Sequence, residues 1–107
     1  MFDNICVIGC GLIGSSIVRA IEKKKLTKKI SVFDKSKEVL SYMKNNFTVN
    51  TTNNVSEVIE EADLVIIAAP LSSYKEILLS IKNKLKEGAI LTDTGSAKKE
   101  VNKIIVN

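Results

Sequence analysis

Three glycines, Gly9, Gly11 and Gly14, stand in the spacing Gly-x-Gly-x-x-Gly inside the run Cys6-Val7-Ile8-Gly9-Cys10-Gly11-Leu12-Ile13-Gly14-Ser15. Apolar residues 5–8 precede the turn and read as a buried strand; Ile17, Ala20 and Ile21 follow at helical spacing. A strand that empties through a glycine turn into a helix is the setting in which this spacing holds a pyrophosphate. Gly9 permits the sharp turn, Gly11 leaves room for phosphate where a Cβ would stand, and Gly14 lets the helix pack closely on the strand. The N–H groups of the helix's first turn, at Leu12, Ile13 and Gly14, then face the phosphates, and the helix dipole favours their charge.

A carboxylate stands where the rest of such a ligand needs one. Residues 30–33 read as a second strand, closed by Asp34, twenty positions after Gly14. There it accepts hydrogen bonds from the adenosine ribose hydroxyls and repels the additional phosphate of NADP, so NAD is the expected cofactor and NADP the less favoured one. Asp34 or Ser36 also suits the N-cap of the following helix, a role compatible with ribose contact. Lys35 and Lys37 are either solvated residues at that helix start or cations within reach of a 2′-phosphate.

The elements that position these groups follow from periodicity. Helices are expected over residues 12–25, with apolar Ile13, Ile17, Ala20 and Ile21, over 38–45, around Val55, Val58 and Ile59, over 72–85, and from 97 to 105. Beyond the first two strands, 47–49 reads as a short third strand followed by a polar loop at 50–54. Residues 64–68 form a central strand apolar without alternation, and 89–91 the next, after a turn at Glu87-Gly88. Strands alternating with helices predict an α/β fold, a Rossmann-like doubly wound parallel sheet in three αβα layers, with strand order 3-2-1-4-5. The crevice at the carboxyl ends of strands one and four then gathers three loops: residues 9–14, 69–73 and 93–97. In the second, Pro70 stops the strand beside Ala69 and turns the chain away, and Leu71 is placed to cover a cofactor. The third is rich in hydroxyl and carboxylate groups. Its Ser96 is either an N-cap or a hydroxyl presented to a polar substrate beside the nicotinamide, and its Asp93 either meets the ligand or braces loop N–H groups.

Composition narrows the classes. The 107 residues make one domain, 1–107, with an apolar fraction of 45% that can bury a core. The net charge of +4 rests on fifteen lysines and one arginine in short clusters, without tryptophan or histidine, a pattern that points away from a nucleic-acid partner. Cys6 on the strand and Cys10 in the turn are poorly placed for a disulfide, and with no histidine a zinc site is unsupported. The longest apolar run, 64–71, has eight residues, too few to cross a bilayer, and the first four lack a signal peptide's basic start. A cytoplasmic protein with no membrane partner and reduced cysteines is expected.

Three stretches together resemble the nucleotide-binding domain of the prephenate and arogenate dehydrogenases of tyrosine biosynthesis. They are Gly9-Cys10-Gly11-Leu12-Ile13-Gly14-Ser15-Ser16, Ala62-Asp63-Leu64-Val65-Ile66-Ile67-Ala68-Ala69-Pro70, and Gly88-Ala89-Ile90-Leu91-Thr92-Asp93-Thr94-Gly95-Ser96-Ala97-Lys98. The likeness covers residues 5–101, and its third motif is the most particular to this group. It implies an NAD-dependent oxidative decarboxylation of prephenate to 4-hydroxyphenylpyruvate, with arogenate the alternative substrate. It implies cofactor contacts at Ala69, Pro70, Leu71, Asp93 and Gly95, and a catalytic role for Ser96 in the hydrogen bonds at the substrate hydroxyl. The family's histidine base lies after this motif, followed by a mostly helical domain that closes the substrate site and makes a homodimer. With no histidine, these residues read as an excerpt that is inactive by itself or as a free-standing nucleotide-binding remnant. Another small-molecule dehydrogenase of the same fold and a non-catalytic nucleotide sensor are the competing readings.

Overall fold

The computed structural model describes residues 2–9, 11–69 and 71–93. The first strand, Phe2–Ile8 (β1), decides the architecture by its alternation. Ile5 and Val7 are buried on one face with Val18, Ile21, Ile30, Val32 and Met43. Cys6 and Ile8 are buried on the other with Ile59, Ala62, Val65, Ile67, Tyr74, Ile81 and Leu91. A strand apolar on both sides has to be covered on both. Leu12–Lys24 (α1) and Lys37–Asn46 (α2) cover the Val7 face, and Ser56–Ile59 (α3) and Leu71–Ile81 (α4) cover the Ile8 face.

Between these layers Thr27–Phe33 (β2), Asn50–Thr52 (β3), Leu64–Ile67 (β4) and Ile90–Asp93 (β5) join β1 in a parallel sheet of order β3-β2-β1-β4-β5. This is the expected Rossmann-like α/β fold and strand order. The register pairs Ile8 with both Phe33 and Ile67, and Ile67 with Asp93, so the carboxyl ends of four strands finish level along one edge. Every connection leaving that edge can reach a common ligand.

Several local expectations need correction. The third strand is Asn50–Thr52, within the stretch expected to be loop, and not residues 47–49. Phe47 and Val49 instead pack against the core as the chain returns to the sheet, and β3 is an edge strand paired on one side with β2, where polar residues cost little. In α1 the buried stripe is Gly14, Val18 and Ile21; Ile13 and Ala20 are exposed and Ile17 half-buried. The helix turns its glycine to the sheet, and that rotation selects the stripe. The fourth helix stops at Ile81, short of residue 85, with Leu85 packing on the core from a turn. The fifth strand is shifted to 90–93, and β1 and β2 begin earlier than expected, at Phe2 and Thr27.

At the opposite edge of the sheet Asp63 ties three strands together. Its Oδ2 accepts the N–H groups of Asp3 (3.0 Å) and Asn4 (2.9 Å), its Oδ1 pairs with Lys86, and its own carbonyl accepts the N–H of Ile90 (2.9 Å). The Lys86 contact first, then the Asn4 N–H, hold the carboxyl below its ordinary range, against partial desolvation.

Candidate functional site

The glycine turn is built as its spacing requires. Gly9 has φ +85°, and a Cβ placed on it would lie 3.0 Å from the Ala69 nitrogen and 3.2 Å from the Ala68 carbonyl carbon. Its N–H donates to the Phe33 carbonyl at 2.8 Å, while the Ala68 N–H donates to the Ile8 carbonyl at 2.8 Å. These bonds lock the ends of β1, β2 and β4 together as the floor of a cleft. Gly9 is therefore required twice, by its backbone angle and by the approach of the neighbouring chain.

Gly11 behaves differently. It is the N-cap of α1, and a Cβ on it would meet nothing within 4 Å among the described residues. That open space belongs to the cleft, so a side chain here would project into whatever occupies it. Among the described residues no side chain caps α1, and its first turn holds no acidic residue. The positive end of a thirteen-residue helix is thus presented to the cleft without a neutralising group. Gly14 is buried within α1 and is not among the residues that line the cleft.

The cleft has a volume of about 530 Å³. Ile8, Gly9, Phe33, Ala68 and Ala69 form its floor, Gly11, Leu12 and Ile13 one wall, Asp34, Lys35 and Val39 a second, and Ser73 and Ile77 of α4 the third. Leu12 is 90% exposed and Ile13 58%, so both apolar side chains stand at the rim, where only a ligand or another surface could cover them. At the β2 end the Ser36 N–H donates to Asp34 Oδ1 at 2.8 Å, and Ser36 Oγ accepts the Val39 N–H at 3.3 Å. Of the two N-cap candidates Ser36 is the cap, and through its backbone it orients the Asp34 carboxylate at the cleft wall.

Six of the expected cofactor residues therefore converge on this cleft: Gly9, Gly11, Leu12, Ile13, Asp34 and Ala69. Leu71 begins α4 and Asp93 ends β5, both at the same edge of the sheet. Cys10, Pro70, Gly95, Ser96 and the helix expected over 97–105 lie outside the described residues. Sequence reasoning placed Ser73 in a crevice loop and missed Phe33, Val39 and Ile77 as lining groups. Ser73 and Ile77, four apart on α4, share a helix face and were the detectable pair.

The guanidinium of Arg19, the chain's single arginine, lies 5.7 Å from the centre of the Phe47 ring, and the residue lines a hollow that shares Gly11, Leu12 and Val39 with the cleft. Among the described residues no group of three or more acidic, cysteine or histidine side chains is arranged to hold a metal, and no helix is long and apolar enough to cross a membrane.

Residues 4–97 match the family model described as NADP oxidoreductase, coenzyme F420-dependent. The chain is 34% identical over 106 residues to a cyclohexadienyl dehydrogenase of Zymomonas mobilis, covering 98% of this chain and 36% of that protein. It is 36% identical over 99 residues to a prephenate dehydrogenase of Lactococcus lactis, covering 92% and 28%. The chain thus spans about a third of the length of these curated relatives. Among solved structures, a prephenate dehydrogenase from A. aeolicus, in complex with hydroxyphenyl propionate and NAD+, superposes with a TM-score of 0.83 at 22% identity over 97% of this chain and 38% of that one. A 3-hydroxyisobutyrate dehydrogenase of Mycobacterium tuberculosis gives the same TM-score at 17% identity, over 97% and 36%. At these identities the structural likeness establishes the fold.

Proposed function

Because the chain belongs to the family described as NADP oxidoreductase, coenzyme F420-dependent, we propose that it is the NAD-binding portion of a prephenate dehydrogenase. The observation that carries this reading is the cleft, which sets an uncapped helix end, an unobstructed glycine and an oriented carboxylate along one trough. The pyrophosphate lies against Gly11 and the first turn of α1, the adenosine ribose hydroxyls bond Asp34, and Leu12 and Ile13 cover the ligand from the rim. Asp34 also selects NAD within a family described by NADP, because a 2′-phosphate would meet a carboxylate that the Ser36 N–H restrains from swinging away.

Bound here, NAD supplies the hydride acceptor. The chain's own residues bind and orient it: Gly9 keeps the β1 and β4 ends close, and Ala69, Pro70, Leu71, Asp93 and Gly95 flank the nicotinamide end. Ser96, from the Thr92-Asp93-Thr94-Gly95-Ser96 motif, orients the substrate hydroxyl. The names of the curated relatives support prephenate, or arogenate, as that substrate. The whole enzyme is a cytoplasmic homodimer in this reading and takes no nucleic-acid partner.

Calorimetric titration with NAD and NADP, together with reduced-nicotinamide absorbance when prephenate is added to the full-length protein, tests the proposal. NAD should bind more tightly than NADP. Asp34→Ala should weaken NAD by about 1–3 kcal/mol, the loss expected for a charged hydrogen-bonding partner, and narrow the preference. Equal affinity for both cofactors overturns the NAD assignment, and absence of prephenate-dependent reduction overturns the substrate.

A further inference from the structure

We infer that Glu76 reads the adenine base of the bound dinucleotide through its exocyclic amino group, an inference that rests on the cleft being the dinucleotide site. Beyond Asp34 the cleft continues into a second chamber of about 290 Å³, sharing Phe33, Lys35, Ser73 and Ile77 with the first. A ribose held at Asp34 has the pyrophosphate on its glycine side, so the base attached to it is directed toward this chamber.

The chamber is apolar where a flat ring would rest and polar around its edge. Phe33, Val55 and Ile77 supply the apolar surface, while Lys35, Asn54, Glu76 and Ser80 stand among the polar groups. Two of these are already engaged. Asn54 Oδ1 accepts the Ser56 N–H at 3.1 Å, and the Ser80 hydroxyl donates to the Ile77 carbonyl at 2.7 Å. The Glu76 carboxylate makes no hydrogen bond or ion pair among the described residues. It is one turn beyond Ser73 on α4, so both line the same wall. A carboxylate only accepts hydrogen bonds. Adenine offers it an amino donor at the base edge; hypoxanthine, with an oxo group in that place, offers a second acceptor and is repelled.

The test compares NAD with nicotinamide hypoxanthine dinucleotide by calorimetric titration of the protein and its Glu76→Ala and Glu76→Gln variants. The wild-type protein should bind NAD about three- to tenfold more tightly, the range for one ordinary net hydrogen bond, since the edge is solvated. Glu76→Ala should weaken NAD while leaving the hypoxanthine analogue bound no less tightly than in the wild-type protein, so that the preference is lost. Glu76→Gln, whose amide can turn either way, should bind both nearly alike. A merely structural role would weaken the two dinucleotides together and leave their ratio unchanged, which overturns the inference, as does a wild-type protein without preference. Failure to bind either dinucleotide would overturn the cleft assignment itself; binding of NAD with an unaltered ratio in Glu76→Ala sinks only the role of Glu76.

Discussion

Gly9 and Gly11, two residues apart in one motif, are glycines for different reasons, and substitution should separate them. Gly9→Ala puts a Cβ at φ +85° within 3.2 Å of the Ala68–Ala69 backbone. Strain of this kind costs about 1–3 kcal/mol before the overlap is counted. Gly11→Ala places its Cβ in open cleft space and should cost under about 1 kcal/mol, the difference between a glycine and an alanine N-cap. Its effect should fall on the dinucleotide, whose pyrophosphate loses its closest approach. Urea unfolding and NAD titration of both variants check this: Gly9→Ala should lose stability, Gly11→Ala affinity. The reverse pattern would contradict the assignment. The motif's spacing was legible in the chain, but the division of labour was not, because the partner of Gly9 is the backbone at Ala69, sixty residues away.

The first helix shows how an element's ends and faces are set by different forces. Its amino end has no side-chain cap among the described residues and faces the cleft, whereas its carboxyl end closes on Lys25 at φ 53° and ψ 48°, with the Leu26 N–H donating to the Ile21 carbonyl at 3.2 Å. This terminating geometry is normally taken by glycine, since a side chain in the left-handed region costs roughly 1–2 kcal/mol. Lys25→Gly should therefore raise stability by about 1 kcal/mol, measurable as a higher urea midpoint with unchanged slope and unchanged NAD affinity. A lower midpoint would show that the lysine contributes more than its backbone strain costs. Periodicity alone marked the helix but misjudged its inner face, because Ile13 belongs to the cleft's side and Val18 to the sheet's.

At the scale of the whole molecule, the two edges of the sheet divide the tasks of binding and cohesion. The carboxyl edge holds the cleft. At the amino edge Asp63 joins β1, β4 and the approach to β5 through Asn4, Asp3 and Lys86. Because its folded carboxyl titrates below its unfolded one, the stability it contributes is fully present above the unfolded value, roughly pH 4, and is lost as pH falls through the folded value. Asp63→Asn should cost about 1–2 kcal/mol at neutral pH, as for hydrogen bonds to a charged group. Its deficit against the wild-type protein should disappear in acid. Urea unfolding across that pH range is the measurement, and a deficit that persists at the lowest pH would assign the loss to packing and not to charge.

What the sequence determined by itself was local or periodic. A glycine turn between strand and helix, a carboxylate closing the second strand, and apolar strands alternating with helices are each decided within a few residues, and together they imply the sheet order and the edge that binds. Only tertiary structure could decide what depends on residues distant in the chain. The third strand lies at Asn50–Thr52 because β2 offers a free edge there. Asp63 finds its donors 59 and 60 positions away. The cleft's far wall comes from α4, whose Ser73, Glu76 and Ile77 carry no motif; they line the cleft and its second chamber because the crossover after β4 lays that helix beside Phe33 and Asp34. Pattern reports the environment a residue needs, and the sheet's closure determines which other residues supply it.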